Sequence, residues 1–279
     1  MSISVLTNVA SLNAQRNLAA TQASLAASVG RLSSGMRINS AADDAAGLGI
    51  SETLKSQILG LAQAQRNAND GISLSQVAEG SMNQMQGIVS RMRELAVQSA
   101  NGTLGSNERS YIQTEFTQLS KEIDRISKVT DFDGQKLLDG SAATGLTFQI
   151  GINNSSNDQI ALSIATLTTS TLGSTVKITN ASLSTVTNAQ SAIGTFDKAI
   201  QQLSQARANL GSVQNRMTVT VSNLAVAQEN LTAANSRIRD VDVANESANL
   251  TKSQILSQAG LAVLAQANQL PQSALSLLR

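Results

Sequence analysis

The sequence lacks two residue types on which much enzyme chemistry depends. It contains no cysteine and no histidine. Thiol and imidazole catalysis are therefore excluded, and so are zinc sites built from Cys and His. This inventory predicts a protein that is not an enzyme and that has no catalytic, metal-binding or cofactor-binding residues.

Aromatic, proline and charged residues are also scarce. Aromatic residues make up 2% of the chain, charged residues 14%, and Pro271 is the single proline. Soluble domains average about a quarter charged residues, and compact ones usually bury aromatic rings. The abundance of Ala, Ser, Asn, Gln and Leu instead favours long helices in close contact.

Net charge and hydropathy exclude two classes of partner. With a net charge of +1, neither nucleic acid nor an anionic membrane surface is indicated. No apolar run approaches the roughly 18 residues of a membrane span. The first sixteen residues lack the basic and apolar segments of a secretory signal peptide, so we expect any secretion to use another route.

The two ends of the chain are nearly free of charge. Residues 1–42 and 247–279 contain no acidic residue, and all 19 acids lie between them. Disordered tails usually carry charge and little leucine, whereas these ends have apolar residues at alternating spacings of three and four. The predicted helical seams are Leu25, Val29, Leu32 and Met36, with Val5, Val9 and Leu12 upstream, and Leu256, Gly260, Val263, Ala267, Leu270, Ala274 and Leu277. A second C-terminal stripe contains Leu261, Leu264, Leu275 and Leu278.

The free energy gained by burying one seam does not offset the conformational entropy lost when an end of the chain becomes ordered. Burial of the four large C-terminal seam residues contributes about 6–12 kcal/mol. Ordering some two dozen residues costs roughly 1–2 kcal/mol each. We therefore expect both ends to be mobile in the free subunit and to fold when copies of the chain enclose them.

The spacing of apolar residues in the interior of the chain predicts three helices and one β-hairpin. The helices extend from about Ala45 to Ala100, from near Ser106 through Ile126, and from Val186 to Leu231, where residues of one stripe alternate in steps of three and four. Period-two alternation around Phe148 and Leu162, with a polar turn between, predicts a hairpin at about 140–170. The Ser- and Thr-rich segment 168–187 is interpreted as a surface connection.

Several motifs have a structural interpretation that competes with a functional one. Asp43 and Asp44 are adjacent and diverge on a helix, so they are interpreted as charges at a helix N-terminus and not as an acid–base pair. Glycines at positions 47, 49, 60, 71, 80 and 87 form no phosphate-binding pattern; they are expected to permit close helix packing. Arg91, Arg93 and Glu94 form either a solvated face or a partner surface.

Several stretches at both ends of the chain closely resemble bacterial flagellin. They are Ser11–Arg16 (SLNAQR), Leu32–Leu48 (LSSGMRINSAADDAAGL), Asn69–Leu74 (NDGISL), Glu229–Leu231 (ENL), Ser236–Asp242 (SRIRDVD), Leu264–Gln269 (LAQANQ) and the final Leu277–Arg279 (LLR). The resemblance implies a mainly α fold, a discontinuous two-domain rod of long helical bundle and coiled coil with a small β-hairpin region. Residues 1–43 and 236–279 would form an inner terminal-helix domain and residues 44–235 an outer one, without the large outer inserts of many flagellins.

The resemblance also implies a function and a set of partners. It implies a structural subunit of the flagellar filament that self-assembles into a helical tube for motility and is secreted unfolded through a type III export channel. Partners would be further copies of the chain, an export chaperone at the C-terminal segment, filament cap and junction proteins, and the innate immune receptor TLR5 of a host. By motif match the receptor and inter-subunit surface would comprise Arg91, Leu95 and Glu115.

Three alternatives remain open at this point. A hook–filament junction protein shares the terminal pattern but would not grow long filaments. A coiled-coil adaptor would need a membrane span or a signalling tip, and the residue inventory argues against an enzyme.

Overall fold

The computed structural model describes the backbone of residues 7–173 and 177–276 and the side chains up to residue 269. Five long helices dominate this part of the chain: α1 (Val9–Ser34), α2 (Ala45–Ser99), α3 (Ser106–Val129), α4 (Val186–Arg239) and α5 (Val243–Ser276). Four short strands lie between α3 and α4: β1 (Asp131–Phe132), β2 (Gln135–Lys136), β3 (Leu146–Gln149) and β4 (Gln159–Leu162). Two 3₁₀ turns follow β3 and β4, at Ser156–Asp158 and Ile178–Asn180. The mainly α fold predicted from the sequence is confirmed.

The chain divides into two compact units. The first comprises residues 1–58 and 229–279, and the second comprises residues 59–228. The boundaries expected from the sequence, after residue 43 and before residue 236, both fall inside the first unit. The sequence could not locate this division because α2 and α4 continue through it without a glycine- or proline-rich linker.

In the second unit α2, α3 and α4 share one apolar core. Every seventh residue along α4 is buried, because this spacing keeps one stripe of the helix turned inward; the stripe is Ala189, Phe196, Leu203, Leu210, Met217 and Leu224. Methionines fill much of the facing side of α2, with Met82, Met85 and Met92 fully buried. The rings of Phe116 and Phe196 lie 5.7 Å apart between α3 and α4.

The strands form two antiparallel pairs in the second unit. β3 pairs with β4, with Phe148 opposite Ile160, so the predicted hairpin is confirmed. β1 and β2 are joined by Asp133 and Gly134, whose φ angles of 51° and 78° are those that a tight two-residue hairpin turn requires.

Close packing against α2 depends on three of its six glycines. A Cβ added at Gly60 would lie 2.8 Å from Ile152, and one at Gly71 would lie 2.7 Å from Met217. At Gly47 the added carbon would meet Ile38 at 2.7 Å. Nothing lies within 4 Å of the corresponding point at residues 49, 80 and 87, so the expectation of close packing is wrong there.

Segment 168–187 is not the surface connection that its composition suggests. Among its described residues Thr169, Leu172, Ile178 and Leu183 are buried. The Asp124 carboxylate of α3 accepts hydrogen bonds of 2.9 Å from the backbone N–H and the hydroxyl of Thr169. Widely spaced apolar residues hidden among Ser and Thr therefore close one side of the core.

Candidate assembly surfaces

The two terminal helices pair along a seam in which five leucines are interspersed with small and polar residues. Early residues of α1 contact late residues of α5, so the helices are antiparallel. Their buried or half-buried positions recur every three and four residues. The seam is formed by Ser11, Ala14, Leu18, Thr21, Leu25, Ser28 and Leu32 of α1, and by Glu246, Leu250, Ser253, Ser257, Gly260, Leu264 and Ala267 of α5.

Polar contacts lie at both ends of this seam. At one end Asn8 Nδ2 donates to the carbonyl of Ala267, and Ser11 Oγ donates to Asn268 Oδ1, both at 2.8 Å. At the other end an Arg31 nitrogen lies 3.9 Å from the carboxylate of Glu246, which is 8% exposed. These contacts bring the start of α1 to the later part of α5, and the end of α1 to the start of α5.

Large apolar residues of the terminal helices point away from the seam. This outward face comprises Val9, Leu12 and Val29 of α1 with Val243, Ile255, Leu256, Leu261 and Val263 of α5, each between 49% and 61% exposed. Large apolar side chains therefore lie in both places: five leucines are within the seam, and these eight residues are outside it. An exposed apolar surface of this kind marks an interaction site.

The predicted seam residues occupy different environments. Val29, Leu256 and Val263 are exposed, whereas Leu25, Leu32 and Met36 are half-buried. The observed C-terminal seam is rotated from the predicted one, because Gly260 and Ala267 face α1 with Leu264 and without Leu256 or Val263. The side chain of Leu270 and all of Leu277 lie outside the described residues.

Within the first unit, backbone hydrogen bonds join the residues after α1 to the residues at the end of α4. Gly35 ends α1 in the left-handed conformation, with φ 71°. The N–H of Arg37 donates to the carbonyl of Arg239 at 2.7 Å, and the N–H of Val241 donates to the carbonyl of Gly35 at 3.1 Å. We call residues 35–37 and 239–241 the clasp. A Ser-Gly pair at the end of a helical pattern is the sequence signal for the end of α1.

The adjacent carboxylates Asp43 and Asp44 close the turn between α1 and α2. Asp44 Oδ1 accepts a 2.8 Å hydrogen bond from the N–H of Gly47, which is the cap expected of a helix N-terminus. Asp43 Oδ2 accepts from the N–H and the hydroxyl of Ser40 and from the N–H of Asn39. These bonds to the charged form, led by that from the Ser40 backbone, lower the pKa of Asp43.

Arg91 and Glu115 form an ion pair on the surface of the second unit. Arg91 Nη2 lies 2.9 Å from Glu115 Oε1, and Arg91 Nη1 lies 3.0 Å from Glu94 Oε2. Hydrogen bonds to Glu94 and then Glu115 raise the pKa of Arg91. Leu95 is 1% exposed and packs in the core, so its predicted place on this surface is wrong: helical periodicity turns it inward, beside Met92.

Other kinds of site find no support in the described residues. No helix in this part of the chain is long and apolar enough to cross a membrane. Residues 7–173 and 177–276 likewise contain no group of three or more acidic side chains placed to hold a metal ion.

Comparison with known proteins shows the family of the chain. Residues 5–143 match the bacterial flagellin N-terminal helical region, and residues 193–278 match the bacterial flagellin C-terminal helical region. The chain is 46% identical to the flagellin of Halalkalibacterium halodurans and 44% identical to flagellin FlaB2 of Treponema pallidum, in each case over 98% of both chains. The crystal structure of Bacillus cereus flagellin is 31% identical, covers 57% of this chain and 88% of its own, and superimposes with a TM-score of 0.49. The chain belongs to the bacterial flagellin family and is a structural subunit of the flagellar filament.

Proposed function

We propose that the outward apolar faces of α1 and α5 are the surfaces through which copies of this chain assemble. One observation carries the proposal: pairing of the two helices leaves eight large apolar side chains outside the seam, among them Val29, Leu256 and Val263, which are about half exposed or more. A helix pair that exposes its larger apolar side chains gains free energy only when further copies cover them. Leu25, Leu32 and Met36 position this face from within, and Leu270 and Leu277 extend the same heptad beyond the described side chains.

Folding of the terminal helices is coupled to this assembly. The seam between α1 and α5 contains five leucines, whereas the two helices have 26 and 34 residues, so burial in the seam does not by itself offset the entropy of ordering both helices. A chain whose ends are mobile before assembly suits passage, unfolded, through the flagellar type III channel to the extracellular filament. It also leaves the C-terminal segment available to an export chaperone. In the filament, residues 1–43 and 236–279 would form the inner domain and residues 44–235 the outer domain.

The ion pair of Arg91 and Glu115 forms a second contact surface, for the neighbouring subunit and for host TLR5. About half of each side chain is exposed, and the pair holds both charged groups in one geometry on adjacent helices. The filament cap and junction proteins would contact the same terminal helices as further copies of the chain.

Removal of the two ends tests the proposal. Full-length protein should sediment as filaments under polymerising conditions, and a variant restricted to residues 44–235 should stay in the supernatant. The melting temperature of its second unit, followed by circular dichroism, should match that of the full-length chain. Filaments of normal length from the trimmed variant would refute the proposal, and an inability of the full-length chain to grow beyond short rings would favour the junction protein.

A further inference from the structure

Packing between α1 and α5 leaves the register of the pair undetermined. A Cβ placed on Gly260 would lie 3.3 Å from Leu18 Cδ1, so these residues face each other. Extension of this register along both helices sets a large residue against a small one in most layers. The layers are Ala14 with Leu264, Leu18 with Gly260, Thr21 with Ser257, Leu25 with Ser253, and Ser28 with Leu250.

A shift of one heptad preserves the same complementarity. If α1 moves by seven residues, or about 10 Å, relative to α5, large residues again meet small ones. The shifted layers are Leu18 with Ala267, Thr21 with Leu264, Leu25 with Gly260, Ser28 with Ser257, and Leu32 with Ser253. Because apolar packing is similar in both registers, something other than apolar packing must select the observed one. The polar contacts at the ends of the seam favour it, but they are only two hydrogen bonds at the start of α1 and one ion pair of 3.9 Å.

The connections permit this shift in one direction. Only residues 240–242 separate α4 from α5, so α5 has little freedom to move along its axis. The connection from α1 to α2, residues 35–44, is longer, and ten extended residues span up to about 33 Å. An extended 35–44 segment would therefore allow α1 to withdraw by one heptad.

The structure assigns register selection to the clasp and to Asp43, which together keep segment 35–44 compact. Asp43 closes the segment through its hydrogen bonds to Asn39 and Ser40, and Ile38 within it is fully buried. The clasp then attaches the end of α1 to the residues just before α5 through the N–H groups of Arg37 and Val241. The hydrogen bonds of the clasp break if α1 withdraws by one heptad, and segment 35–44 must open to follow it.

The register determines what each copy presents to its neighbours. A shift would move Val29 of α1 by about 10 Å relative to Leu256 of α5, and the outward apolar face would change its shape. Identical copies form a regular helical polymer only if every copy presents the same surface. This step rests on the proposed function, whereas the register itself can be measured directly.

Cysteine pairs can report the register because the chain has no cysteine of its own. Thr21→Cys with Ser257→Cys reports the observed register, and Ser28→Cys with Ser257→Cys reports the shifted one. Each cysteine pair is placed in the variant Asp43→Ala with Val241→Pro. The first substitution removes the carboxylate that accepts hydrogen bonds from Asn39 and Ser40, and the second removes the N–H that the clasp donates to Gly35. The matched control is Asp43→Asn with Val241→Ala, which keeps an acceptor oxygen and the backbone N–H. A short thiol crosslinker is applied to assembled protein, and intrachain products are identified by their monomeric mass.

In the control, the observed-register pair should crosslink at least tenfold more than the shifted pair. In the weakened variant that ratio should fall at least fivefold as the shifted crosslink appears. An unchanged ratio would overturn the inference, and so would the loss of both crosslinks, since unpaired helices have no register. The variant is also co-assembled as a minor component with unsubstituted chain, so that the measurement does not depend on its own polymerisation. Sedimentation of the unsubstituted chain tests the proposed function separately.

Discussion

Two substitutions on the outward face of α5 test the role of exposed apolar surface most directly. Leu256→Ala and Val263→Ala remove about three and two carbons from side chains that are 49% and 59% exposed in the subunit. At about 0.8 kcal/mol for each buried carbon, complete burial of these exposed fractions in the filament is worth about 2 kcal/mol per subunit. Alanine is a strong helix former, so helix propensity does not oppose the comparison.

The expected result is a change in critical concentration. Since about 1.4 kcal/mol corresponds to a tenfold change in an equilibrium constant, the double variant should need roughly thirty times more protein to polymerise. Sedimentation over a dilution series measures this value. Gln254→Ala with Gln258→Ala is the matched control, because both glutamines are exposed on the same helix. This control should change the critical concentration by no more than about threefold. An unchanged critical concentration for the leucine and valine variant would refute the assembly role of this face.

Three further predictions concern other parts of the molecule. Phe196→Ala, which empties a fully buried site beside Phe116, should destabilise the second unit by about 3–5 kcal/mol in a urea titration, and a loss below 1 kcal/mol would contradict the assigned core. Because hydrogen bonds lower the folded-state pKa of Asp43 below its ordinary 3.8, its contribution is complete above pH 3.8 and lost as the pH falls through the lowered value. The difference in filament dissociation temperature between the unsubstituted chain and Asp43→Asn should therefore narrow below pH 3.8. A constant difference from pH 6 to 3 would show that the ionised Asp43 carboxylate does not stabilise the turn. Arg91→Ala should leave the melting temperature of the free subunit nearly unchanged, because solvent screens this exposed ion pair, yet it should weaken both polymerisation and TLR5 signalling. Normal polymerisation and normal signalling would together exclude the surface.

The local sequence determined the helices and the β3–β4 hairpin. Periodicity places α2 at about 45–100 and it spans Ala45–Ser99, because hydrophobic spacing and helix-favouring residues act over neighbouring turns. The hairpin follows from alternation around Phe148 and Leu162 for the same reason. The lack of Cys and His set the limits on chemistry, and the terminal motifs identified the family.

Only the tertiary structure decided which face of each helix meets which neighbour. A heptad pattern gives the spacing of a seam, but α5 carries two apolar stripes, and only three-dimensional packing turns Gly260 toward α1 and Leu256 toward solvent. Contacts between residues 35–44 and 239–241 join positions some two hundred residues apart. Such pairings depend on the free energy of the whole fold, and no local spacing encodes them.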